Sequence, residues 1–528
     1  MAKSYVGRTW DIERGNRIKG PEFNDLHGMM PHSVIIAPPG GGKGAGLEMP
    51  NILGNGLRDA NIISIDPAAQ NVTVTMRWRS TVSEIALLNP CHIEGLVANG
   101  VKDMGINPLL RVKTVRHALA IGEALQQVRS TTEPFFGQSA QGLIAGVVLA
   151  VVRDCERRGA VPSLFEVRKI LTGDLVAFAD AMINSGDVEV ASLLGSYNQS
   201  NRTIESIKKH AETATRFLLT EEMRRSLSVE KGIDWTRLKT GKKPLTVYVT
   251  IPDETLGDDG DEGLSPFLRL AVVDLINSVF AMKGTGRPTV LLLSEFHSLG
   301  RLKPVLRALA RGRKMGLRVV LVLQNIPQLA EAWGPHGAKT IVGMCGSLVG
   351  FSPAPGDYET AEFLSKAGGM FASMRVNASD DPQGGPPRIT INEHEEKLWS
   401  PEKIRSLPDW HGLVWRMGKA APQPVACPPY WELPEMQDVF GRPRYDRDPY
   451  HPGPYPVVFG KRRGKLSKLR AAVMVAAAVI AGGAWLTNAT GGHLPSWPAP
   501  PWFTFSPVVR ADPPQENPPH HKQPHARR

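Results

Sequence analysis

Short apolar runs, each bounded by polar or turn-forming residues, recur in two parts of this 528-residue chain. They are rich in β-branched residues and have the length of strands buried in a parallel sheet. Helix-like segments separate them, an alternation that is typical of α/β folds. The predicted strands are residues 33–37, 61–65, 245–251, 289–293, 318–323 and 347–351.

Residues 111–235 have the spacing of helices and almost no strand signal. The clearest helical stretches are SAQGLIAGVVLAVVRDCERRG and TIESIKKHAETATRFLLTEEMRRSL. Because a sheet can be interrupted in sequence and remain continuous in space, we predict one α/β domain with a central, mostly parallel sheet and an inserted all-α domain. The predicted units are an N-terminal extension (1–29), the first half of the α/β domain (30–110), the inserted all-α domain (111–235), the second half of the α/β domain (236–434), a Pro-rich and basic linker (435–468), a candidate membrane helix (469–487) and a Pro-rich tail (488–528).

An uncharged run near the C-terminus, AAVMVAAAVIAGGAWL, follows the basic sequence KRRGKLSKLR. A spanning helix needs about 20 apolar residues, which this run approaches when it extends over 469–487. Its basic flank fits the cytoplasmic border of a membrane span. We predict a single C-terminal membrane-anchor helix; the alternative is an Ala-rich helix that lies on the membrane or packs on a partner. The first 20 residues lack the apolar core of a secretory signal, so we expect a cytoplasmic N-terminus.

Composition and charge narrow the possible partners. The formal net charge of +11 makes nucleic acid or an anionic membrane surface plausible. The four cysteines, Cys91, Cys155, Cys345 and Cys427, lie far apart without CxxC spacing. This spacing argues against both a zinc site and a disulfide framework, and it favours a reducing compartment.

The stretch APPGGGKG, residues 37–44, follows a predicted strand and precedes a helix. A phosphate-binding loop reads G-x-x-x-x-G-K-[ST], in which backbone N–H groups wrap the phosphates, the lysine binds them and the hydroxyl ligates Mg²⁺. Here Ala37 stands at the first glycine and Gly44 at the hydroxyl position. The alternative interpretation is a Gly-rich turn with an exposed lysine.

A second motif tests this interpretation. The apolar run TVLLL ends at Ser294 and Glu295, where a Walker B strand carries acids that bind Mg²⁺ and activate water. Serine replaces the usual aspartate, so its hydroxyl offers Mg²⁺-bound water a contact without charge. Glu295 remains placed to activate water, or is an ordinary carboxylate at a strand end.

Taken together, these motifs resemble the type IV secretion coupling protein family, the conjugation ATPases in which glycine often follows the phosphate-loop lysine. Further matches occur in the family's order over roughly residues 30–434. They are IDPAAQN (65–71), INPL (106–109), EPFFGQSA (133–140), LLSEFHSLGRL (292–302), ARGRKMGLRVVLVLQNIPQLAEAWG (310–334) and KLWSPEKIRSLP (397–408).

The resemblance implies a RecA-like P-loop ATPase domain that uses ATP and Mg²⁺ in a homo-oligomer, expected to be a hexamer. Arg313 would be an arginine finger for the neighbouring subunit and Gln324 a sensor of the γ-phosphate, although each also fits an ordinary polar residue at a helix or strand end. The implied catalytic residues are Glu295, Arg313 and Gln324; the implied metal residues are Ser294 and Glu295; the implied nucleotide-binding residues are Pro39, Gly40, Gly41, Gly42, Lys43, Gly44, Ala45 and Asp66.

The implied partners are a relaxase–DNA complex with single- or double-stranded DNA, the inner-membrane components of a type IV secretion channel, and the membrane itself. The implied location is the bacterial inner membrane with the bulk of the protein in the cytoplasm. The inserted helices would face DNA or relaxase.

Three features depart from the family pattern: Ser294, the pair Ala68 and Gln70 in place of lysine and glutamate, and a C-terminal instead of an N-terminal anchor. Two functions therefore stay open. The first is a DNA-translocating coupling ATPase; the second is a nucleotide-binding but weakly hydrolysing docking receptor for the secretion substrate. A soluble P-loop kinase explains neither the anchor nor Arg313.

Overall fold

A mixed β-sheet forms the centre of the protein in the computed structural model, which describes residues 2–446 apart from 13–16, 26–27, 97–100, 102, 129–133, 257–262, 380–387 and 439–440. The strands are β1 Lys3–Asp11, β2 Arg17–Asp25, β3 Ser33–Ile36, β4 Asn61–Ile65, β5 Glu84–Leu88, β6 Leu245–Val249, β7 Thr289–Leu293, β8 Leu317–Leu323, β9 Ser347–Phe351, β10 Met370–Ser379, β11 Arg388–Lys397, β12 His411–Arg416 and β13 Gln423–Ala426. The α-helices are α1 Met49–Leu53, α2 Gln70–Val82, α3 Val115–Leu125, α4 Phe135–Arg158, α5 Leu164–Thr172, α6 Leu175–Ile183, α7 Val188–Leu194, α8 Arg202–Ala214, α9 Glu221–Leu227, α10 Arg237–Thr240, α11 Ser265–Ala281, α12 Lys303–Arg311, α13 Ile326–Gly343, α14 Tyr358–Gly368 and α15 Pro401–Arg405.

The strand order in the main sheet is β2-β1-β13-β12-β9-β3-β8-β7-β4-β6-β5. The part from β9 to β5 is parallel, and β12, β13, β1 and β2 continue it in antiparallel pairing. Six of the parallel strands, β3, β4, β6, β7, β8 and β9, are buried at every position, as expected for strands covered on both faces. The predicted mostly parallel sheet is confirmed.

All six strands predicted from apolar runs are present as β3, β4, β6, β7, β8 and β9. Five further strands of the sheet carried no clear signal. Strand β5 is short and begins with a charged residue, while β1, β2, β12 and β13 form the antiparallel edge. The β1–β2 hairpin lies within residues 1–29, so these residues complete the sheet by pairing β1 with β13. A separate hairpin joins β10 and β11.

The segment of residues 111–235, called the helical segment below, contains helices and no strand among its described residues. Its long helix α4 packs against α3, α5, α7 and α8, and α3 packs against α11 beside the sheet. Both ends of the segment contact one buried carboxylate on α11. Arg111 Nη1 donates to Asp274 Oδ1 at 3.1 Å, and Trp235 Nε1 donates to Asp274 Oδ2 at 2.6 Å. The sheet can therefore continue from β5 to β6 past the segment.

Helix α4 is the one helix among the described residues that is long and apolar enough to cross a membrane. Some 67% of its most apolar window is buried by the surrounding protein, which is the environment of a core helix. The predicted anchor at 469–487 lies outside the described residues. The first part of the predicted linker packs against the rest of the protein. Tyr445 is buried against Tyr430, and the Asp446 backbone N–H donates to the Val74 carbonyl.

Candidate nucleotide site

The phosphate loop connects β3 to a helical turn at the carboxyl edge of the sheet. Gly40 and Gly42 have φ values of +71° and +91°, a region that glycine enters without steric cost. Lys43 is followed by a π-helical turn, Gly44–Glu48, which continues into α1. Backbone N–H groups at the start of such a helix face an anion that approaches from the strand end. The glycines predicted to wrap phosphates thus lie in a loop of suitable geometry.

Three predicted residues converge beside this loop. Strand β8 lies between β3 and β7, so the residues that follow each strand share one edge. Lys43 Nζ lies 3.3 Å from Glu295 Oε1, and Gln324 Nε2 donates to Glu295 Oε2 at 2.8 Å. The glycine loop and the acid that follows TVLLL therefore meet at one point of this edge.

The backbone of Glu295 has a φ of +53°, which is uncommon for a residue other than glycine. Such strain persists only where the surrounding structure imposes it, and it is frequent at functional sites. His297 Nδ1 lies 3.5 Å from Glu295 Oε2. Burial lowers the pKa of His297 more than the negative charge of Glu295 raises it, which favours a neutral imidazole near pH 7.

Trp410 closes the loop from the side of β12. A Cβ added to Gly42 would lie only 2.7 Å from Cε3 of the Trp410 ring, so the ring and the loop are in close contact. Trp410 itself has a φ of +61°. It packs edge-on against Trp431 with the ring centroids 6.2 Å apart. The indole therefore fixes the loop at the glycine that precedes Lys43.

A second group of side chains, which is almost fully buried, lies between the phosphate-loop helix and the ends of β4 and β7. The Ser294 hydroxyl donates to Glu48 Oε2, a carboxylate on the phosphate-loop helix. Asn71 Nδ2 donates to the same oxygen at 3.2 Å and lies 3.4 Å from Ser294 Oγ. Asp66, which follows β4, accepts from the Val72 backbone N–H at 3.2 Å. Glu48, Asp66, Asn71 and Ser294 are each at most 8% exposed.

Burial of these acids makes their ionised forms costly. Desolvation raises the pKa of Glu48, although the hydrogen bonds from Ser294 and Asn71 and the charge of Lys43 oppose the change. Desolvation also raises the pKa of Asp66 to about 7, with a further contribution from the nearby Glu48. A cation at this point would relieve both costs, since it would stabilise the ionised carboxylates.

The oxygen atoms available here fit Mg²⁺ in one particular way. Among the described residues no group of three or more His, Cys, Asp or Glu side chains could hold a metal ion by itself. Mg²⁺ in proteins usually keeps several waters and binds through one or two carboxylates together with substrate phosphates. Glu48, Asp66, Ser294 and Glu295 supply oxygens of this kind next to the phosphate loop, so the residues fit Mg²⁺ that arrives with a nucleotide.

Arg313 lies away from this site. It is exposed, in the turn that precedes β8, whereas Gln324 follows the same strand. Seven residues of β8 separate the two ends by about 23 Å at the usual rise per residue. The structure therefore brings together the phosphate loop, Asp66, Ser294, Glu295 and Gln324, and it leaves Arg313 at the opposite edge of the sheet.

Glu48, Asn71, His297 and Trp410 were not predicted as site residues from sequence, and two of them show why. Glu48 is the one charged residue in the apolar stretch GAGLEMPNIL that follows Lys43, and this isolation was a usable signal. Trp410 had no such signal, because its contact with Gly42 joins distant parts of the chain.

A glycine loop after one parallel strand, with its lysine on an acid that follows the next strand but one, defines a P-loop nucleotide-binding protein. The family described as "Type IV secretory system Conjugative DNA transfer" matches residues 3–447. The chain belongs to this family.

Relatives of known identity agree with this assignment. Protein VirD4 of Rhizobium rhizogenes is 23% identical over 437 residues, which cover 77% of this chain and 61% of VirD4. The chain thus spans less than two thirds of that relative's length.

Solved structures share the fold. The bacterial conjugative coupling protein TrwB, in the unbound form of TrwBΔN70, aligns with a TM-score of 0.60 at 18% identity and covers 84% of this chain and 96% of that one. TrwB in complex with ADP and Mg²⁺ aligns with a TM-score of 0.55 at 18% identity, over 81% and 94% of the two chains. The predicted RecA-like P-loop fold is therefore confirmed.

Proposed function

We propose that this protein is a coupling ATPase that recruits a relaxase–DNA or protein substrate and drives its transfer into a type IV secretion channel during conjugation. The observation that carries the proposal is the convergence of Lys43, Glu295 and Gln324 at the carboxyl edge of the sheet. In P-loop ATPases these positions hold the phosphates, orient the attacking water and respond to the γ-phosphate. Membership of the conjugative DNA-transfer family supports the substrate class.

Each residue has a defined part in the proposed reaction. The backbone of residues 39–45 wraps the phosphates of ATP, and Lys43 moves from Glu295 to the outer phosphates when they bind. Glu295, released from Lys43 and held by Gln324, accepts a hydrogen bond from the attacking water. Glu48, Asp66, Ser294 and Glu295 would hold Mg²⁺ beside the phosphate loop, where its charge would offset that of the phosphates. This sequence of contacts gives the ion pair between Lys43 and Glu295 a part in the reaction.

Arg313 acts in the site of a neighbouring copy in this proposal. Its exposure at the far edge of the sheet supports this role, because the side chain of an arginine finger must be accessible to the nucleotide of a neighbouring subunit. The reaction then requires a homo-oligomer, which we propose to be a hexamer on the cytoplasmic face of the bacterial inner membrane. The candidate span at 469–487 would anchor each subunit next to the channel's inner-membrane components.

The helical segment is proposed to be the inserted all-α domain that faces DNA or relaxase. Helix α8 supports this proposal with a modest basic surface, since Arg202 and Lys209 are exposed. Cationic side chains of this kind bind nucleic acid through its phosphates, independently of base sequence.

DNA-stimulated ATP hydrolysis by the purified full-length chain tests the proposal. We expect hydrolysis that rises with single- or double-stranded DNA, that falls to background in Lys43→Ala, and that accompanies assembly of a ring in the presence of ATP and DNA. A monomer that hydrolyses ATP equally well, or activity that survives in Lys43→Ala, would refute it.

One observation favours the alternative of a docking receptor that binds nucleotide and hydrolyses it weakly. Ser294 carries no charge, and its hydroxyl is already bonded to Glu48. If wild type binds ATP without hydrolysis and Ser294→Asp gains activity, the receptor is the correct function.

A further inference from the structure

The end of β7 is where the family places an aspartate, and this chain has Ser294 there. A hydroxyl cannot supply the negative charge that attracts Mg²⁺ to that point. Gly44 removes a second oxygen ligand from the usual set. The structure nevertheless has a carboxylate at the same point in space, because the Ser294 hydroxyl is hydrogen-bonded to Glu48 Oε2.

Two polar side chains hold this carboxylate in one orientation. Ser294 comes from β7 and Asn71 from α2, and both donate to Oε2 of Glu48. Asn71 also lies 3.3 Å from Ser64 Oγ on β4, which fixes the amide between two strands. A carboxylate oriented from two elements is pre-positioned in the way that metal-binding acids are.

The charge of Glu48 has no cationic partner within the described part of the chain. Glu48 is 4% exposed and forms no ion pair with a Lys, Arg or His there, and the nearby Lys43 pairs with Glu295. Buried charges are normally paired or coordinate metals. The residue also ends the helical turn that follows Lys43, within the loop that is proposed to hold the phosphates.

We propose that Glu48 is the carboxylate that acts on nucleotide-bound Mg²⁺ in this protein, with Ser294 as the residue that positions it. The carboxylate that the family has at the position of Ser294, at the end of β7, is then supplied by Glu48 of the phosphate-loop helix. The Ser294 hydroxyl holds this carboxylate at the end of β7. This inference rests on the nucleotide site of the proposed function. The alternative is that Glu48 is a hydrogen-bonded acid that only stabilises the core.

Nucleotide binding with and without metal separates these two roles. The affinity of the full-length protein for a fluorescent ADP analogue is measured in Mg²⁺ and in EDTA, and Mn²⁺ binding with ADP is followed by electron paramagnetic resonance. In wild type we expect Mg²⁺ to tighten ADP binding. In Glu48→Gln this tightening should fall by roughly tenfold to hundredfold, with the affinity in EDTA unchanged.

The double variant Glu48→Gln/Ser294→Asp returns the charge to β7 and should restore the tightening. Ser294→Ala keeps the carboxylate of Glu48 and removes only the hydroxyl that positions it, so we expect a smaller loss of the tightening by Mg²⁺. Ser294→Thr keeps a hydroxyl and should show no such loss. Glu156→Gln is the matched control: the same chemical change at an exposed glutamate paired with Lys113 should alter neither affinity. Circular dichroism confirms that each variant is folded.

Several results would overturn the inference while the ATPase proposal stands. One is a Glu48→Gln protein with the same Mg²⁺ dependence as wild type, and another is an equal loss of affinity in Mg²⁺ and in EDTA, which indicates a structural role. A loss that Ser294→Asp fails to restore would refute the exchange of roles. A wild-type protein that binds no ADP under either condition would overturn both proposals together.

Discussion

The contact between Gly42 and Trp410 leads to a quantitative prediction for Gly42→Ala. The substitution imposes two separate costs. An alanine at a φ of +91° lies outside its favoured backbone regions, which costs about 1–2 kcal/mol by analogy with the left-handed helix. Its Cβ would also lie 2.7 Å from the Trp410 ring, and forcing an extra methyl into a packed site costs about 1–3 kcal/mol. We therefore expect a total loss of about 2–5 kcal/mol in the free energy of unfolding.

Gly40 supplies the matched control, because it shares the backbone cost without the contact. Its φ is +71°, and no atom of the described residues lies within 4 Å of a Cβ built there. Gly40→Ala should thus cost only about 1–2 kcal/mol. In a Trp410→Ala background the ring is absent, so the loss in the free energy of unfolding caused by Gly42→Ala should also be only about 1–2 kcal/mol.

Urea unfolding without added nucleotide, followed by circular dichroism, measures the wild type, the three single variants and the double variant. Working without nucleotide keeps the stability of the loop separate from its affinity for phosphates. The reasoning fails if Gly42→Ala costs the same with and without the Trp410 ring, or if Gly40→Ala is the more damaging of the two glycine substitutions.

Three further predictions concern charge and catalysis. Burial, with the charge of Arg318, lowers the pKa of His32 from 6.5 to about 4. As pH falls through 6.5, the unfolded chain takes up a proton on His32 before the folded chain does, so we expect about 2 kcal/mol of stability to be lost between about pH 7.5 and 5. His32→Asn keeps an acceptor for the Val319 N–H and should remove that part of the pH dependence in urea titrations. Glu295→Gln should bind ADP as wild type does and hydrolyse ATP on the order of 10² to 10⁴ times more slowly in a phosphate-release assay; unchanged hydrolysis would exclude Glu295 as the residue that activates water. Arg313→Ala should lower ATP hydrolysis on the order of 10³-fold or more. Lys43→Ala subunits keep Arg313, so mixing them with Arg313→Ala subunits should restore hydrolysis. A mixture that stays inactive would argue against an arginine finger that acts between subunits.

The parallel part of the fold could be predicted from sequence because its strands are buried on both faces. Such strands are continuous apolar runs, as in SVII and TVLLL, and the pattern is visible without any partner strand. The β1–β2 hairpin has no comparable pattern, since β2 reads RIKGPEFND and contains charges, a glycine and a proline. Its strand conformation depends on pairing with β1, which in turn pairs with β13 more than 400 residues away.

The same distinction holds within the site. Lys43 and Glu295 could be predicted from the phosphate-loop and Walker B patterns, and Gln324 from the resemblance to the family; each follows a predicted parallel strand, and the carboxyl ends of such strands share one edge. Glu48 and Trp410 follow no such rule. One reaches the site through the packing of the phosphate-loop helix against β7, and the other through the antiparallel edge that the sequence did not indicate.

The helical segment and the candidate nucleotide site are connected through one helix. Arg111 and Trp235, at the two ends of the segment, both bind Asp274 on α11, and α11 leads directly into β7. Strand β7 then ends at Ser294 and Glu295. Breaking a buried, hydrogen-bonded ion pair by removing one partner costs about 3–5 kcal/mol, so this attachment resists separation. In the proposed function, a ligand on the helical segment and a nucleotide on the phosphate loop would therefore both contact groups attached to the stretch of chain from α11 to the end of β7.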